Sequence, residues 1–260
     1  MTAGICVFLW QGESRWGNLR RIPQAVNLMP LSCVDRFLSR LNYGLFPPVC
    51  RLCGEPGQRR IDLCRCCQAE FPSRPEPLAV ASGSVLAGFT YAEPVAALVR
   101  RFKFHDDLAA GRLLARLAAE AFIGSTPEAL IPVPLHASRL RQRGFNQALE
   151  LARYWGRCRG IPVSPQLIRI RATRIQSGLP AGERLTNVTG AFRVSGEVPA
   201  HVALVDDVVT TGSTTAEAAR ALRLAGAGRV DVWCLARAVK VDLHTGHSNF
   251  FKYAFPKTGK

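Results

Sequence analysis

Thirteen consecutive residues, Val202-Ala-Leu-Val-Asp206-Asp207-Val-Val-Thr210-Thr211-Gly212-Ser213-Thr214, set two kinds of chemistry side by side. Adjacent carboxylates are suited to accept hydrogen bonds from the vicinal hydroxyls of a sugar. The hydroxylic run behind them can aim backbone N–H groups and a helix N-terminus at a phosphate, with Thr and Ser hydroxyls as further donors. Gly212 lets the main chain come close. An acidic pair beside a phosphate cup describes a 5-phosphorylated sugar.

A second stretch, Ile131-Pro-Val-Pro-Leu-His136-Ala-Ser-Arg139-Leu-Arg141-Gln-Arg143-Gly144-Phe145-Asn146-Gln147, spaces three arginines at every second position. Guanidinium groups form bidentate phosphate contacts and stay charged at any working pH. The spacing predicts a loop here, between a strand ending at Pro134 and a helix starting near Phe145. From Arg139 to Arg174 there are nine arginines and one acid, Glu150, within a chain of formal net charge +15. Such a bias attracts polyanions without separating pyrophosphate from nucleic acid, and generic solubility is the plain alternative.

The third group is cysteine. Cys50-Arg-Leu-Cys53 and Cys64-Arg-Cys-Cys67 are two C-x-x-C pairs ten residues apart. Cys50, Cys53, Cys64 and Cys67 can give four thiolates to a tetrahedral Zn²⁺, Cys66 falling out of the two-residue spacing. So small a module cannot bury a core of its own, and a structural metal would supply folding energy. Paired knuckles rather than scattered cysteines indicate a reducing, cytoplasmic setting. The apolar run Ile5–Trp10 is too short for a signal peptide, and no stretch is long enough to insert in a membrane.

Elements that must position these groups follow from periodicity. Val202–Val205 predicts a buried central strand that delivers the acids to its carboxyl end, where open α/β sheets bind ligands. Thr214–Ala225 predicts the helix after it, with Ala218, Ala221, Leu222 and Ala225 on one face. Further strands are expected at Ser84–Tyr91, on a sheet edge, and at Leu130–Pro134, Leu167–Arg171 and Val230–Leu235. Further helices are expected at Pro94–Phe104, Asp107–Phe122 and Phe145–Arg157, with Asp106 or Asp107 capping the second. The segment Ala172–Thr189 reads as a long loop of the kind used as a lid. Strands alternating with helices predict an α/β fold with a mostly parallel sheet. The division is an N-terminal extension over 1–44 (with a short amphipathic helix at Leu31–Tyr43), a four-cysteine module over 45–77, an α/β domain over 78–240 and a tail over 241–260.

The segment Val202–Thr214 closely resembles, at all thirteen positions, the motif with which type I phosphoribosyltransferases bind 5-phosphoribosyl-1-pyrophosphate (PRPP). With the arginine stretch, the cysteine module, Phe102-Lys103-Phe104 and the run Gln176–Phe192, the chain resembles the ComF family over residues ~46–238. The resemblance implies a type I phosphoribosyltransferase fold in which Asp206 and Asp207 hold the ribose hydroxyls. It further implies that Thr210, Thr211, Gly212, Ser213 and Thr214 hold the 5′-phosphate, and that Arg139, Arg141 and Arg143 lie at the pyrophosphate loop. Arg184, or Arg174, would come in on the closing loop as a catalytic cation, and Mg²⁺ would accompany PRPP. Purine-salvage members often carry Asp where Thr210 stands, which argues against purine transfer. Two functions stay open: a Mg²⁺-dependent phosphoribosyltransferase with an unassigned acceptor, and a PRPP-binding factor of DNA uptake that meets single-stranded DNA and uptake proteins.

Overall fold

A computed structural model describes residues 47–59, 61–80, 83–171 and 188–239, all of them in the unit Pro47–Lys260. In chain order the elements are helix α1 (Arg65–Ala69), strands β1 (Leu78–Val80) and β2 (Gly83–Thr90), and helices α2 (Val95–Phe104) and α3 (Leu108–Ala118). Strand β3 (Ala129–Pro132), helices α4 (Ala137–Arg143) and α5 (Gln147–Arg159), and strands β4 (Leu167–Arg169) and β5 (Phe192–Val194) come next. Strand β6 (His201–Val209), helix α6 (Ser213–Leu224) and strand β7 (Arg229–Arg237) complete the set.

Five strands form one sheet in the order β1-β2-β7-β6-β3. β2, β7, β6 and β3 run parallel, and β1 is an antiparallel flange on β2. β6 is apolar along its first half because both faces of the sheet are covered. Ala203 and Val205 enter one core with Phe102, Leu114, Trp155 and Trp233. Val202 and Leu204 enter the other with Ile131, Ala218, Leu222 and Val232. Phe122 stacks on Trp233 at 4.6 Å and meets Trp155 edge-on, and the Trp155 indole N–H donates to the Ala115 carbonyl at 2.8 Å. A strand pair, β4-β5, stands apart from the main sheet.

Three expectations change. β2 lies inside the sheet between β1 and β7 rather than on its edge, because Leu78–Val80 supplies a flange that its short length hid. The predicted helix from Asp107 to Phe122 is α3 followed by a 3₁₀ turn over Ala119–Phe122. Asp107 is its cap, its carboxylate accepting the Ala110 N–H at 3.0 Å. The arginine stretch is a helix, not a loop. His136 caps its start by accepting the Ser138 N–H, and Gly144, at φ 73°, ends it in the left-handed region open to glycine.

The cysteine segment packs on the α/β body. Cys50 and Leu63 belong to the same core as α2 and α3. Arg51, between two knuckle cysteines, pairs with Asp107 at 2.6 Å, and Arg101 of α2 pairs with the same carboxylate at 2.8 Å. Among the described residues, no helix is long and apolar enough to cross a membrane. The predicted helix Leu31–Tyr43, the extension, the tail and the Gln176–Arg184 loop lie outside the described residues.

Candidate functional site

β6 carries Asp206 and Asp207 within its last four residues, and the chain then turns at Thr210–Gly212 into α6. Asp206 and residues 208–215 line a small open cleft of about 30 Å³. Gly212, at φ 73°, is the residue before the helix, and Ser213 is its first. The Thr211 and Ser213 hydroxyls lie 2.9 Å apart, and the Thr215 hydroxyl donates to the Gly212 carbonyl at 3.0 Å. The turn is therefore braced by its own hydroxyls at a helix N-terminus, where an anion is favoured.

The acids differ in their surroundings. Asp206 accepts the Asp207 N–H at 2.8 Å, and Asp207 accepts the Val208 N–H at 2.6 Å. Burial, then the neighbouring Asp207 charge, pushes Asp206 up to about 7 against the pull of Lys103, the Asp207 N–H and Arg169. Asp207 is held by the Lys103 ammonium of α2 at 2.9 Å. One acid near neutrality beside one paired carboxylate makes a good acceptor set for a diol and a poor cage for an ion. A resident Mg²⁺ does not fit, since hard divalent cations take several free oxygens and Lys103 already claims one.

Of the predicted arginines, Arg139 and Arg143 are half-buried and Arg141 is exposed. Arg143 donates to the Gln147 side-chain oxygen at 3.0 Å and lies over the Phe104 ring at 5.2 Å. Burial and the Arg143 charge lower the Arg139 pKa, and a buried Nη2 of Arg139 has no hydrogen-bond partner among the described residues. Arg184 lies outside the described residues.

Two further side chains reach the site, and the sequence analysis assigns a role to neither. Lys103 enters it only within the Phe102-Lys103-Phe104 run, and Arg169 only as a member of the expected strand Leu167–Arg171. Burial and then the Arg139 charge lower its pKa while Asp206 raises it, so Arg169 stands in the fields of both groups. Its guanidinium covers the Phe192 ring at 5.4 Å.

The four expected metal ligands converge. The Sγ atoms of Cys50, Cys53, Cys64 and Cys67 all lie within 4.8 Å of one another. Cys53 and Cys64 are 3.7 Å apart, the edge expected of a tetrahedron with Zn–S bonds of ~2.3 Å. Burial opposes ionisation of Cys50, but the N–H groups of Cys53, Cys64 and Leu52 and the Cys53 thiol outweigh it and bring Cys50 to about 6. Cys66 is exposed and outside the cluster. The donor set fits a structural Zn²⁺, which would tie the segment's two ends together.

A mostly parallel sheet with an acid pair at the end of a central strand, running into a hydroxyl-rich turn, defines an α/β protein with its candidate site at the carboxyl end of that strand. The chain is 38% identical over 203 residues to competence protein F of Haemophilus influenzae, covering 74% of this chain and 85% of that one. It is 34% identical to the DNA utilization protein YhgH of Salmonella typhimurium, covering 74% and 91%. It is 29% identical to competence protein ComFC of Streptococcus pneumoniae, covering 57% and 66%. The chain belongs to the ComF family. No family model matches it. Among solved structures it is similar to a glutamine PRPP amidotransferase from B. subtilis, at 25% identity and a TM-score of 0.32, over 48% of this chain and 25% of that one. A purine phosphoribosyltransferase from Pyrococcus horikoshii is similar at 20% identity and 0.30, over 50% and 72%.

Proposed function

We propose that this chain binds PRPP or a related 5-phosphorylated sugar through Val202–Thr214 and serves the uptake and use of DNA in the cytoplasm. The observation that carries the ligand is the acid pair at the end of β6, followed at once by a braced turn at the N-terminus of α6. In this reading Asp206 and Asp207 hold the ribose 2′- and 3′-hydroxyls. Thr210, Thr211, Gly212, Ser213 and Thr214 hold the 5′-phosphate, while Arg139, Arg141 and Arg143 face the pyrophosphate. Residues 78–240 carry the ligand, and 45–77 form the zinc-holding module. The names of the relatives support the DNA setting, and the net charge of +15 supports single-stranded DNA and DNA-uptake proteins as partners.

Calorimetry with PRPP on the parent chain and on the double variant Asp206→Asn/Asp207→Asn tests the ligand assignment. Binding heat in the parent and its loss in the variant is the expected result, and equal heats overturn it.

An active Mg²⁺-dependent phosphoribosyltransferase is the second reading. It is favoured by Arg169, whose charge reaches both Arg139 and Asp206 and suits the charge left on departing pyrophosphate. The protein's part would be to position the sugar and hold that charge while an acceptor replaces pyrophosphate at C1. Release of pyrophosphate from PRPP with a nucleobase or amine acceptor separates this reading from binding alone.

A further inference from the structure

Lys103 reaches the acid pair from α2, an element distinct from the strand, turn and helix that make the cup. Its Nζ lies 2.9 Å from the Asp207 carboxylate, and its side chain keeps 21% exposure. It is fixed enough to form a charge-assisted hydrogen bond and open enough for its remaining N–H donors to face a ligand. The helix end that carries it is pinned, because Arg101 pairs with Asp107 at 2.8 Å and donates to the Arg51 carbonyl.

Two adjacent acids repel a polyanionic sugar phosphate, and a cation must offset that repulsion. In an open acid pair the ion would be divalent and would come from solution. Here the place beside Asp207 is held by an ammonium group of the protein. Resting on the phosphosugar reading above, we infer that Lys103 is a further binding residue of the site, a protein-borne cation that holds Asp207 and contacts the bound sugar phosphate. It takes over at the diol the charge compensation that Mg²⁺ would otherwise give.

The consequence is a specific link between one side chain and the metal dependence of binding. With Lys103 in place, PRPP binds the chain even without Mg²⁺. In K103M that support is gone, and binding rests on the ion carried by the pyrophosphate. A residue that only held α2 in place would weaken binding equally in both buffers.

The test is calorimetric titration of PRPP into the full chain, in saturating Mg²⁺ and in Mg²⁺-free buffer, for the parent, K103M, K103R and the Asp206→Asn/Asp207→Asn variant. Buffer and PRPP are stripped of Mg²⁺ on a chelating resin before the zinc-loaded chain is added, so that the cysteine module stays loaded. K103M is expected to bind about 10–100-fold more weakly than the parent without Mg²⁺, the loss of one charge-assisted hydrogen bond. With Mg²⁺ the deficit should shrink to about threefold, as the ion takes over the screening. K103R, which keeps the charge, should recover most of the Mg²⁺-free binding and so separates lost charge from lost folding. An equal deficit in both buffers, or no deficit in either, overturns the role of Lys103 while leaving the site intact if the double Asn variant loses binding. A parent chain that binds no PRPP in either buffer overturns the phosphosugar reading itself, and this inference with it.

Discussion

At the scale of single residues, Asp206 shows a site group held against its own stability. Its pKa rises from 3.8 to about 7, first through burial and then through the charge of Asp207, with Lys103 and Arg169 pulling the other way. Cys234 lies beside it on β7, its thiol pushed up by its own burial and by the Asp206 charge. For an acid raised in the native state, the native chain binds more protons than the unfolded one between those two pKa values. Stability is therefore lost as pH climbs from about 4 to about 7. Asp206→Asn keeps an oxygen to accept the Asp207 N–H while removing the charge. It should stabilise the chain on the order of 2 kcal/mol at pH 8 and much less at pH 4.5. Thermal melts of parent and variant across that pH range check this. A gain that does not depend on pH would mean that Asp206 carries no buried charge. Asp231 is the contrary case. It is fully buried at the opposite end of the sheet, yet Ser125, His201, Arg229 and the Ser84 N–H all donate to it. Despite burial those partners hold its pKa below the ordinary value, so its carboxylate is a structural anchor rather than a poised acid.

At the scale of elements, the zinc-type knuckle and the helical hairpin α2–α3 behave as one piece. Asp107 caps α3 and accepts both Arg51 from the knuckle and Arg101 from α2. Burial works against its ionisation, but the Ala110 N–H, Arg51 and Arg101 together hold its pKa low. Cys50 and Leu63 sit in the same core as these helices. Removing zinc should therefore lower the melting temperature of the whole body in one cooperative transition. Differential scanning calorimetry with and without a zinc chelator decides it, and a separate low-temperature transition would show the knuckle to be an independent unit. The arginine helix illustrates what short-range pattern hides. Its seven residues have no buried member, so no apolar stripe announces a helix, and only the His136 cap and Gly144 set its ends.

At the scale of the whole molecule, the charge of +15 bears on partners rather than on fold. Arg139, Arg141 and Arg143 lie on α4, which follows the edge strand β3, beside the half-buried Phe145 and an exposed Phe104. Single-stranded DNA that meets about three cations there should lose affinity with a log–log salt slope of about −2. Fluorescence anisotropy of a labelled oligonucleotide across salt concentrations measures the slope, and a slope near zero would remove DNA from the list of partners. What the sequence determined by itself was everything written in short spans: the acid pair and cup, the paired cysteines, and the apolar strand that puts the acids at a sheet's ligand-binding end. Those follow from covalent spacing and local periodicity. Tertiary structure alone decided that Lys103 claims Asp207, that Arg169 shares the fields of Asp206 and Arg139, and that the knuckle is clamped onto α3 through Arg51. Each of these joins residues far apart in the chain, and a single sequence does not encode which distant charges meet until packing has put their elements together.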